Sequence, residues 1–194
     1  LVAKEVRETQ GKQIETYCIG LEGSDDLKYA REVASHLNTL HYEIVVTEKD
    51  FLSAIPEVIR KIESYDTTTV RASVGNYLVS KYISENSSAK VIFNGDGADE
   101  LMGGYLYFHK AEDPIEFDKE CRRLLSHIHF FDVLRSDKSI ASCGLEARTP
   151  FLDREWVQYY LSLAPNIRCH KVNNVCEKYL IRKAYDNTDI LPKN

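Results

Sequence analysis

The sequence predicts an α/β fold, with a parallel sheet flanked by helices in the first half and a mainly helical second half. Three observations carry this prediction. Residues 14–47 have the pattern of strand, helix and strand, and a third apolar run at 89–93 leads into a glycine-rich acidic loop. From Tyr105 onward the apolar residues follow helical spacing.

The first three elements form a predicted βαβ unit. Residues 14–19 give a short strand, and residues 41–47 give a second strand rich in β-branched side chains. Between them, Ser24 is a suitable N-cap for a helix with Asp25 and Asp26 in its first turn. A strand, a helix and a strand in so short a segment predict two parallel strands.

Two helices and a loop are predicted to follow. Pro56 is expected to restart the first helix, with Ser53 capping its second piece. Residues 63–73 are expected to form a polar loop before the second helix. The apolar residues that define these helices are Phe51, Ile55, Ile59 and Ile62 in the first, and Val74, Leu78 and Tyr82 in the second.

The helical second half has one clear interruption, at residues 144–153. Asp153 is predicted to cap the helix that carries residues 156–163, and Pro165 is predicted to end it. The chain contains no internal repeat and no low-complexity tract, so one domain is the expectation.

The loop FNGDGADELMGGY, residues 93–105, places three carboxylates among four glycines. Asp96, Asp99 and Glu100 repel one another, which predicts a ligand that brings positive charge, such as a metal ion. The loop begins at the end of a predicted strand, where parallel sheets bind ligands. It fits neither a dinucleotide fingerprint, nor a Walker loop, nor an EF-hand. The alternative is a glycine-rich connection with solvated acids.

Composition excludes several classes of protein. The 194 residues are 43% hydrophobic and 28% charged, and the net charge of −5 gives no general attraction to nucleic acid or to anionic lipid. The sequence contains neither an apolar run of about 20 residues nor the layout of a signal peptide. We therefore expect a soluble, cytoplasmic protein.

The five cysteines are widely spaced and include no Cys-x-x-Cys pair. This pattern predicts reduced thiols rather than a disulfide framework or a zinc ribbon. Cys169, His170 and Cys176 imitate metal ligands, but without a partner pair we interpret them as coincidence.

Four segments resemble, in order, the synthetase domain of the glutamine-hydrolysing asparagine synthetases. They are ESYDTTTVRAS at 63–73, GDGADELMGGYLYFHKA at 95–111, DVLRSDKSIASCGLEARTPFLD at 132–153 and EKYLIRKAYD at 177–186. The resemblance covers nearly the whole chain. It implies a fold like that of the adenine-nucleotide alpha-hydrolases, of the N-type ATP-pyrophosphatase kind.

The resemblance also implies an activity, that of a ligase of asparagine biosynthesis. ATP with Mg²⁺ activates the side-chain carboxylate of aspartate as β-aspartyl-AMP, and ammonia then displaces AMP. The implied partners are aspartate and ammonia or glutamine, together with a glutaminase domain of the same polypeptide. A homodimer stays open, and neither nucleic acid nor membrane is expected.

Site residues in the acidic loop are implied by their motif positions. Asp99 matches the family's magnesium-binding aspartate, and Gly95 and Asn94 lie where the nucleotide binds. Asp96 stands where the family usually has a glutamate associated with the ammonia step. Because Asp96 is one methylene shorter, we expect a weaker or altered second half-reaction.

The remaining implied site residues lie outside that loop. Ile19 matches a position that lines the adenine pocket, although core packing explains it equally well. Thr68, Thr69 and Arg71 match a segment near the phosphates, where hydroxyl and guanidinium groups suit oxyanions.

Asp132 and Arg135 match residues that face the aspartyl part of the intermediate, and a solvated helix pair is the alternative. Four nearby charged residues are expected to serve structure through ion pairing and capping: Lys138, Glu146, Arg148 and Asp153.

Parts of the family pattern are expected to lie beyond the ends of this chain. The pyrophosphate loop Ser-Gly-Gly-Leu-Asp-Ser-Ser would precede Leu1, and a lysine-bearing segment would follow Asn194. We therefore expect an incomplete synthetase domain over residues 1–194 that is inactive alone. There are two alternatives. One is a relative that forms a β-lactam, and the other is a degenerate, non-catalytic domain, which Asn94, Asp96 and Ala98 suggest.

Overall fold

The computed structural model describes residues 1–172 and 174–192, which form two compact units. The first unit comprises residues 1–88 and the segment from residue 185 onward, and the second comprises residues 89–184. Both units contain parallel strands and helices, as the α/β prediction requires.

The first unit contains the predicted βαβ arrangement. Strands β1 and β2 are parallel, with Ile19 opposite Ile44, so this part of the prediction is confirmed. The elements of the unit are α1 (Val2–Gln10), β1 (Glu15–Leu21), α2 (Asp25–Leu37), β2 (Leu40–Val46), α3 (Glu48–Ile62) and α4 (Thr67–Asn86).

The second unit is mainly helical and contains one pair of parallel strands. Strand β3 pairs with β4, so the interruption predicted at 144–153 supplies a strand. The elements are β3 (Val91–Phe93), α5 (Ala98–Met102), α6 (Pro114–His127), α7 (Asp132–Ala141), β4 (Glu146–Arg148), α8 (Arg154–Ser162), α9 (Pro165–Arg168) and α10 (Tyr179–Tyr185), with 3₁₀ segments at Leu106–Lys110, Ile128–Phe130 and Pro150–Leu152.

The prediction that Pro56 restarts a helix is wrong. Helix α3 is continuous through Pro56, so Ser53 lies in its interior and caps nothing. The helix begins at a capping box, in which the N–H of Asp50 donates to the Thr47 hydroxyl (3.2 Å) and the N–H of Thr47 donates to the Asp50 carboxylate (2.7 Å). Pro56 removes one backbone hydrogen bond from the helix, and burial of Val58 on the same helix compensates for this loss.

The predicted loop at 63–73 is largely helical. Helix α4 begins at Thr67, and the Asp66 carboxylate accepts a hydrogen bond from the N–H of Thr69 (2.8 Å). Burial of Val70 and Val74, one turn apart, overrides the low helix propensity of the three threonines.

Two predicted caps have different outcomes. Ser24 is the N-cap residue of α2, but its hydroxyl makes no capping hydrogen bond. Asp153 caps α8 as predicted, since its carboxylate accepts from the N–H of Trp156 (3.0 Å). Helix α8 ends at Ser162, and Pro165 occupies the first turn of α9 rather than the end of α8.

Two apolar clusters form the core of the second unit. The first comprises Phe108, Phe117, Cys121, Leu124 and Cys169, and the second comprises Ala98, Leu101, Met102 and Tyr160. The second cluster holds α5, which lies within the acidic loop, in place, because three of its four residues belong to that short helix.

None of the described helices is both long enough and apolar enough to cross a membrane. None of the five cysteines, all of which lie in the described part of the chain, forms a disulfide.

Replacing Asp153 tests the cap of α8. Asp153→Ala leaves the N–H of Trp156 without its acceptor, so we expect the free energy of unfolding to fall by about 1 kcal/mol. Asp153→Asn keeps an acceptor and should change it much less. Urea unfolding of both variants measures the difference, and equal stability of parent and alanine variant would contradict the capping role.

Candidate active site

The acidic turn, residues 94–97, follows β3 directly. The N–H of Asn94 donates to the carbonyl of Arg148 (3.1 Å), which extends the pairing of β3 with β4. The chain then turns and enters α5 at Ala98. The turn therefore lies at the carboxyl end of a parallel strand, as the sequence predicts.

Two glycines fix the shape of this region. Gly97 has φ +85°, and a Cβ added there would lie 2.2 Å from the side chain of Leu152. Gly103 has φ +64°, and its added Cβ would lie 2.3 Å from the ring of Phe117. Both positions thus require glycine on two grounds, the backbone angle and the close packing.

Gly95 differs from these two glycines. Its φ lies outside the left-handed region, and a Cβ added there would meet no atom within 4 Å. The fold therefore does not require glycine at this position. The exposed backbone of Gly95 leaves an open surface at the start of the turn.

The side chain of Asn94 holds Asp96 in place. Its amide nitrogen donates to the Asp96 carboxylate (2.8 Å) and to the Ser136 hydroxyl (3.0 Å). The N–H of Asp96 donates to the side-chain oxygen of Asn94 (3.3 Å). Asn94 thus connects the half-buried Asp96 to helix α7.

Asp99 forms an ion pair with Lys178. The Lys178 ammonium lies 2.9 Å from the Asp99 carboxylate, and both side chains are partly exposed. Gly104 makes room for this pair, since an added Cβ at that position would lie 1.8 Å from the carboxylate oxygen. Sequence reasoning missed Lys178, although the quoted EKYLIRKAYD segment contains it.

The sequence placed Glu100 among the three carboxylates of the loop but gave it no individual role. It is only 2% exposed, and the hydroxyl of Tyr105 donates to its carboxylate. Burial, and then a hydrogen bond with Asp132, raise the pKa of Glu100 to about 7. The only signal in the sequence was its place beside Asp99.

Asp132 and Arg135 connect α7 to this buried carboxyl group. Asp132 is 5% exposed, accepts a hydrogen bond from the Tyr105 hydroxyl (3.1 Å) and pairs with the guanidinium of Arg135. The pair is therefore not the solvated helix pair of the alternative interpretation. Asp132 is buried beside Glu100, and Arg135 is partly exposed.

The structure explains how so many acids share one small region. Lys178 neutralises Asp99, and Arg135 neutralises Asp132. The raised pKa of Glu100 suppresses part of its negative charge near neutral pH. The repulsion inferred from the sequence is reduced by these three effects before any ligand binds.

The predicted site residues fall into two groups. Asn94, Gly95, Asp96, Asp99, Asp132 and Arg135 belong to the second unit, on or beside the acidic turn and on α7. Ile19, Thr68, Thr69 and Arg71 belong to the first unit.

In the first unit, the predicted residues lie on β1 and at the start of α4. Ile19 is half-buried opposite Ile44, while Thr68 and Arg71 are exposed in the first turns of α4. The backbone N–H of Thr69 is used by the cap on Asp66. The hydroxyl and guanidinium groups in these turns lie near the positive end of the helix dipole, which favours anions.

A depression of about 480 Å³ also lies in the first unit, at the carboxyl ends of β1 and β2. Its lining includes two bases, Lys28 and Arg31, and two acids, Glu22 and Glu43, of which Arg31 and Glu43 form an ion pair. This is the edge at which parallel sheets bind ligands, and the charges of the lining balance.

Comparison with known proteins identifies a family for the chain. The sequence model described as "Asparagine synthase" matches residues 1–117 and 112–194. The human asparagine synthetase (glutamine-hydrolyzing) is 47% identical over 191 residues, which are 98% of this chain and 34% of the human protein. The proteins of the same name from Pongo abelii and Gallus gallus are each 48% identical over 180 residues, which are 93% of this chain and 32% of each relative. The chain therefore spans about a third of the length of the curated relatives it matches.

Replacing Glu100 with glutamine tests the buried carboxyl group. Because its pKa is raised on folding, the folded chain keeps a proton that the unfolded chain loses. This stabilisation is complete below the unfolded pKa of 4.5 and is lost as the pH rises through about 7. The free energy of unfolding should therefore fall over this range, by on the order of 1 kcal/mol per pH unit.

Glu100→Gln cannot ionise, so it should remove this contribution and be more stable than the parent above pH 7. Urea unfolding from pH 4.5 to 8 measures the difference between variant and parent, which cancels the other titrating groups. Glu112→Gln, at an exposed position, serves as the matched control. Parallel pH profiles for Glu100→Gln and parent would contradict the raised pKa.

Proposed function

The chain belongs to the asparagine synthase family, and we propose that it forms part of the synthetase domain of an ATP-dependent ligase that converts aspartate to asparagine. The observation that carries this proposal is the connection of the acidic turn after β3 to helix α7, which carries the buried Asp132 and the partly exposed Arg135. That connection gathers six of the ten residues implied by the family motifs in one unit.

The first step brings together two anions, and a Mg²⁺ ion held by Asp99 would reduce their repulsion. When the aspartate side-chain carboxylate attacks the α-phosphate of ATP, each pair of unit charges at ~4 Å costs about 4 kcal/mol at an effective dielectric near 20. Mg²⁺ bound to the phosphates neutralises this charge. Asp99 fits the ion, because its partly exposed carboxylate offers oxygen ligands and pairs with Lys178 through one oxygen.

The nucleotide would be held by backbone and hydroxyl groups as well as by charge. The open surface at Gly95 suits close approach of a ligand to the main chain, with Asn94 beside it. Thr68, Thr69 and Arg71 would bind phosphate oxygens, and Ile19 would contact adenine. These roles rest on motif position and on the start of α4 described above.

Asp132 and Arg135 would recognise the amino-acid end of aspartate. Their ion pair already combines one carboxylate and one guanidinium, which complement an α-ammonium and an α-carboxylate. On binding, the α-ammonium of the substrate would take the place of the Arg135 guanidinium beside Asp132. Its α-carboxylate would take the place of the Asp132 carboxylate beside Arg135. The hydrogen bond from Tyr105 keeps Asp132 oriented during this exchange.

Asp96 would act in the second step, in which ammonia displaces AMP. A group that handles the ammonia proton must come within about 3 Å of it. Asp96 is shorter than the glutamate usual in the family, and its link to α7 through Asn94 and Ser136 restrains its position. This restraint supports a catalytic role for the shorter acid.

In this proposal, a glutaminase domain elsewhere in the same polypeptide supplies ammonia from glutamine, and the enzyme works in the cytoplasm. Residues 1–194 would then be a central piece of the synthetase domain, and a homodimer stays a prediction. The decisive assay is aspartate-dependent release of pyrophosphate from ATP by the full-length polypeptide. If no pyrophosphate is released even with ammonia present, the result would favour the degenerate, non-catalytic domain. The differences from the family motif at Asn94, Asp96 and Ala98 suggest that alternative.

Gly95→Ala tests the nucleotide surface separately from the fold. Because an added Cβ at Gly95 meets open space, we expect an unchanged urea midpoint but ATP binding weakened about tenfold or more. Gly97→Ala is the contrasting variant, since its strained φ and the contact with Leu152 should lower stability itself. Unchanged ATP binding by Gly95→Ala in equilibrium titration would remove Gly95 from the site.

Asp96→Asn tests the assignment of Asp96 to the ammonia step. We expect asparagine formation to fall by about 10²–10⁴-fold, because the amide cannot accept the proton. Aspartate-dependent pyrophosphate release should persist, since the first step does not use this group. Equal loss of both activities would contradict the assignment, and a parallel assay of Asp137→Asn, at an exposed position on α7, controls for general effects.

A further inference from the structure

Three ligand-type side chains outside the acidic turn come together in the second unit. His109, His170 and Glu177 each present one ligand atom, and these atoms all lie within 4.8 Å of one another. The residues come from separate segments: the end of Leu106–Lys110, the chain just after α9 and the chain just before α10. None of these three residues is among those proposed above to act in asparagine synthesis.

His170 is the most informative member of the cluster. It is fully buried, at 0% exposure, and neither ring nitrogen has a hydrogen-bond partner among the described residues. Its ring packs edge-on against His109, with centroids 4.5 Å apart, and against Phe117, with centroids 5.6 Å apart. Burying a polar group without a partner is costly, so the site favours a species that accepts an imidazole lone pair.

His109 and Glu177 are in direct contact, through a hydrogen bond between a ring nitrogen of His109 and the Glu177 carboxylate. Lys171 and Lys178, which follow His170 and Glu177 in the sequence, have other partners, since Lys171 donates to the carbonyl of Ala111 and Lys178 pairs with Asp99.

We propose that His109, His170 and Glu177 bind a divalent transition-metal ion, of which Zn²⁺ is the best match. Two imidazoles and one carboxylate form a borderline donor set typical of zinc, with a fourth position for water. Metal–ligand bonds of ~2.0 Å in a tetrahedron place ligand atoms roughly 3.3 Å apart. The widest separation of 4.8 Å must therefore close by roughly 1.5 Å, which side-chain rotation of His109 and Glu177 can supply.

The cysteines near His170 in sequence are not part of this site. Cys169 packs in the apolar cluster that includes Phe108 and Phe117, and Cys176 is exposed. The local sequence around His170 offers no second pair of metal ligands, and the fold brings His109 and Glu177 next to it. A bound ion would join three segments, one of which continues into Lys178 and its ion pair with Asp99.

Metal titration of the full chain tests this proposal without reference to activity. Metal-free protein is titrated with Zn²⁺ against a chromogenic chelator, and Co²⁺ is added separately to read its visible spectrum. We expect one tight site per chain, a tetrahedral Co²⁺ spectrum, and a higher unfolding temperature with Zn²⁺. His109→Gln and Glu177→Gln should each weaken Zn²⁺ binding about tenfold or more.

These two variants alter partly exposed side chains, so metal-free circular dichroism and unfolding temperature should match the parent. His129→Gln and Cys176→Ser, both at exposed positions of the same unit, are the matched controls and should bind Zn²⁺ like the parent. The proposal is overturned if the parent shows no tight site. It is equally overturned if His109→Gln and Glu177→Gln bind Zn²⁺ as tightly as the parent.

Discussion

The buried contact of Glu100 with Tyr105 and Asp132 is the constraint on which the candidate site depends. Two carboxyl groups in one buried place cannot both ionise without a large cost, so one of them retains its proton to higher pH. The Tyr105 hydroxyl lies within hydrogen-bond distance of both, and the Arg135 guanidinium compensates Asp132. The contact links α5 to α7, since Glu100 belongs to one helix and Asp132 to the other.

The position of α5 explains why neighbouring acids have different environments. One face of this short helix packs Leu101 and Met102 into an apolar cluster with Tyr160. That packing buries Glu100 as well, while Asp99 remains partly exposed and meets Lys178. Adjacent residues in one motif thus become a buried carboxyl group with a raised pKa and an accessible carboxylate.

Charged groups elsewhere in the second unit follow the same pattern of burial with compensation. Arg168 is buried, donates to the carbonyl of Leu163 (2.9 Å) and pairs with Asp118. Burial would raise the pKa of Asp118, but hydrogen bonds from Arg122 and Arg168 outweigh it and lower that pKa. Arg168 keeps one buried nitrogen, Nη1, without a hydrogen-bond partner among the described residues, whereas His170 has none for either of its ring nitrogens.

The sequence by itself determined the features that depend on local pattern. The βαβ unit, the strand before the acidic turn and the Asp153 cap follow from periodicity and short-range hydrogen bonding, and four ordered motifs identified the family. Tertiary structure decided which residues meet. Burial of Val70 keeps the polar start of α4 helical, and burial of Val58 keeps α3 continuous through Pro56. Packing of α5 places Glu100 in the interior. Lys178 and Asp99, like His109 and His170, come from distant parts of the chain, and no local spacing determines such contacts.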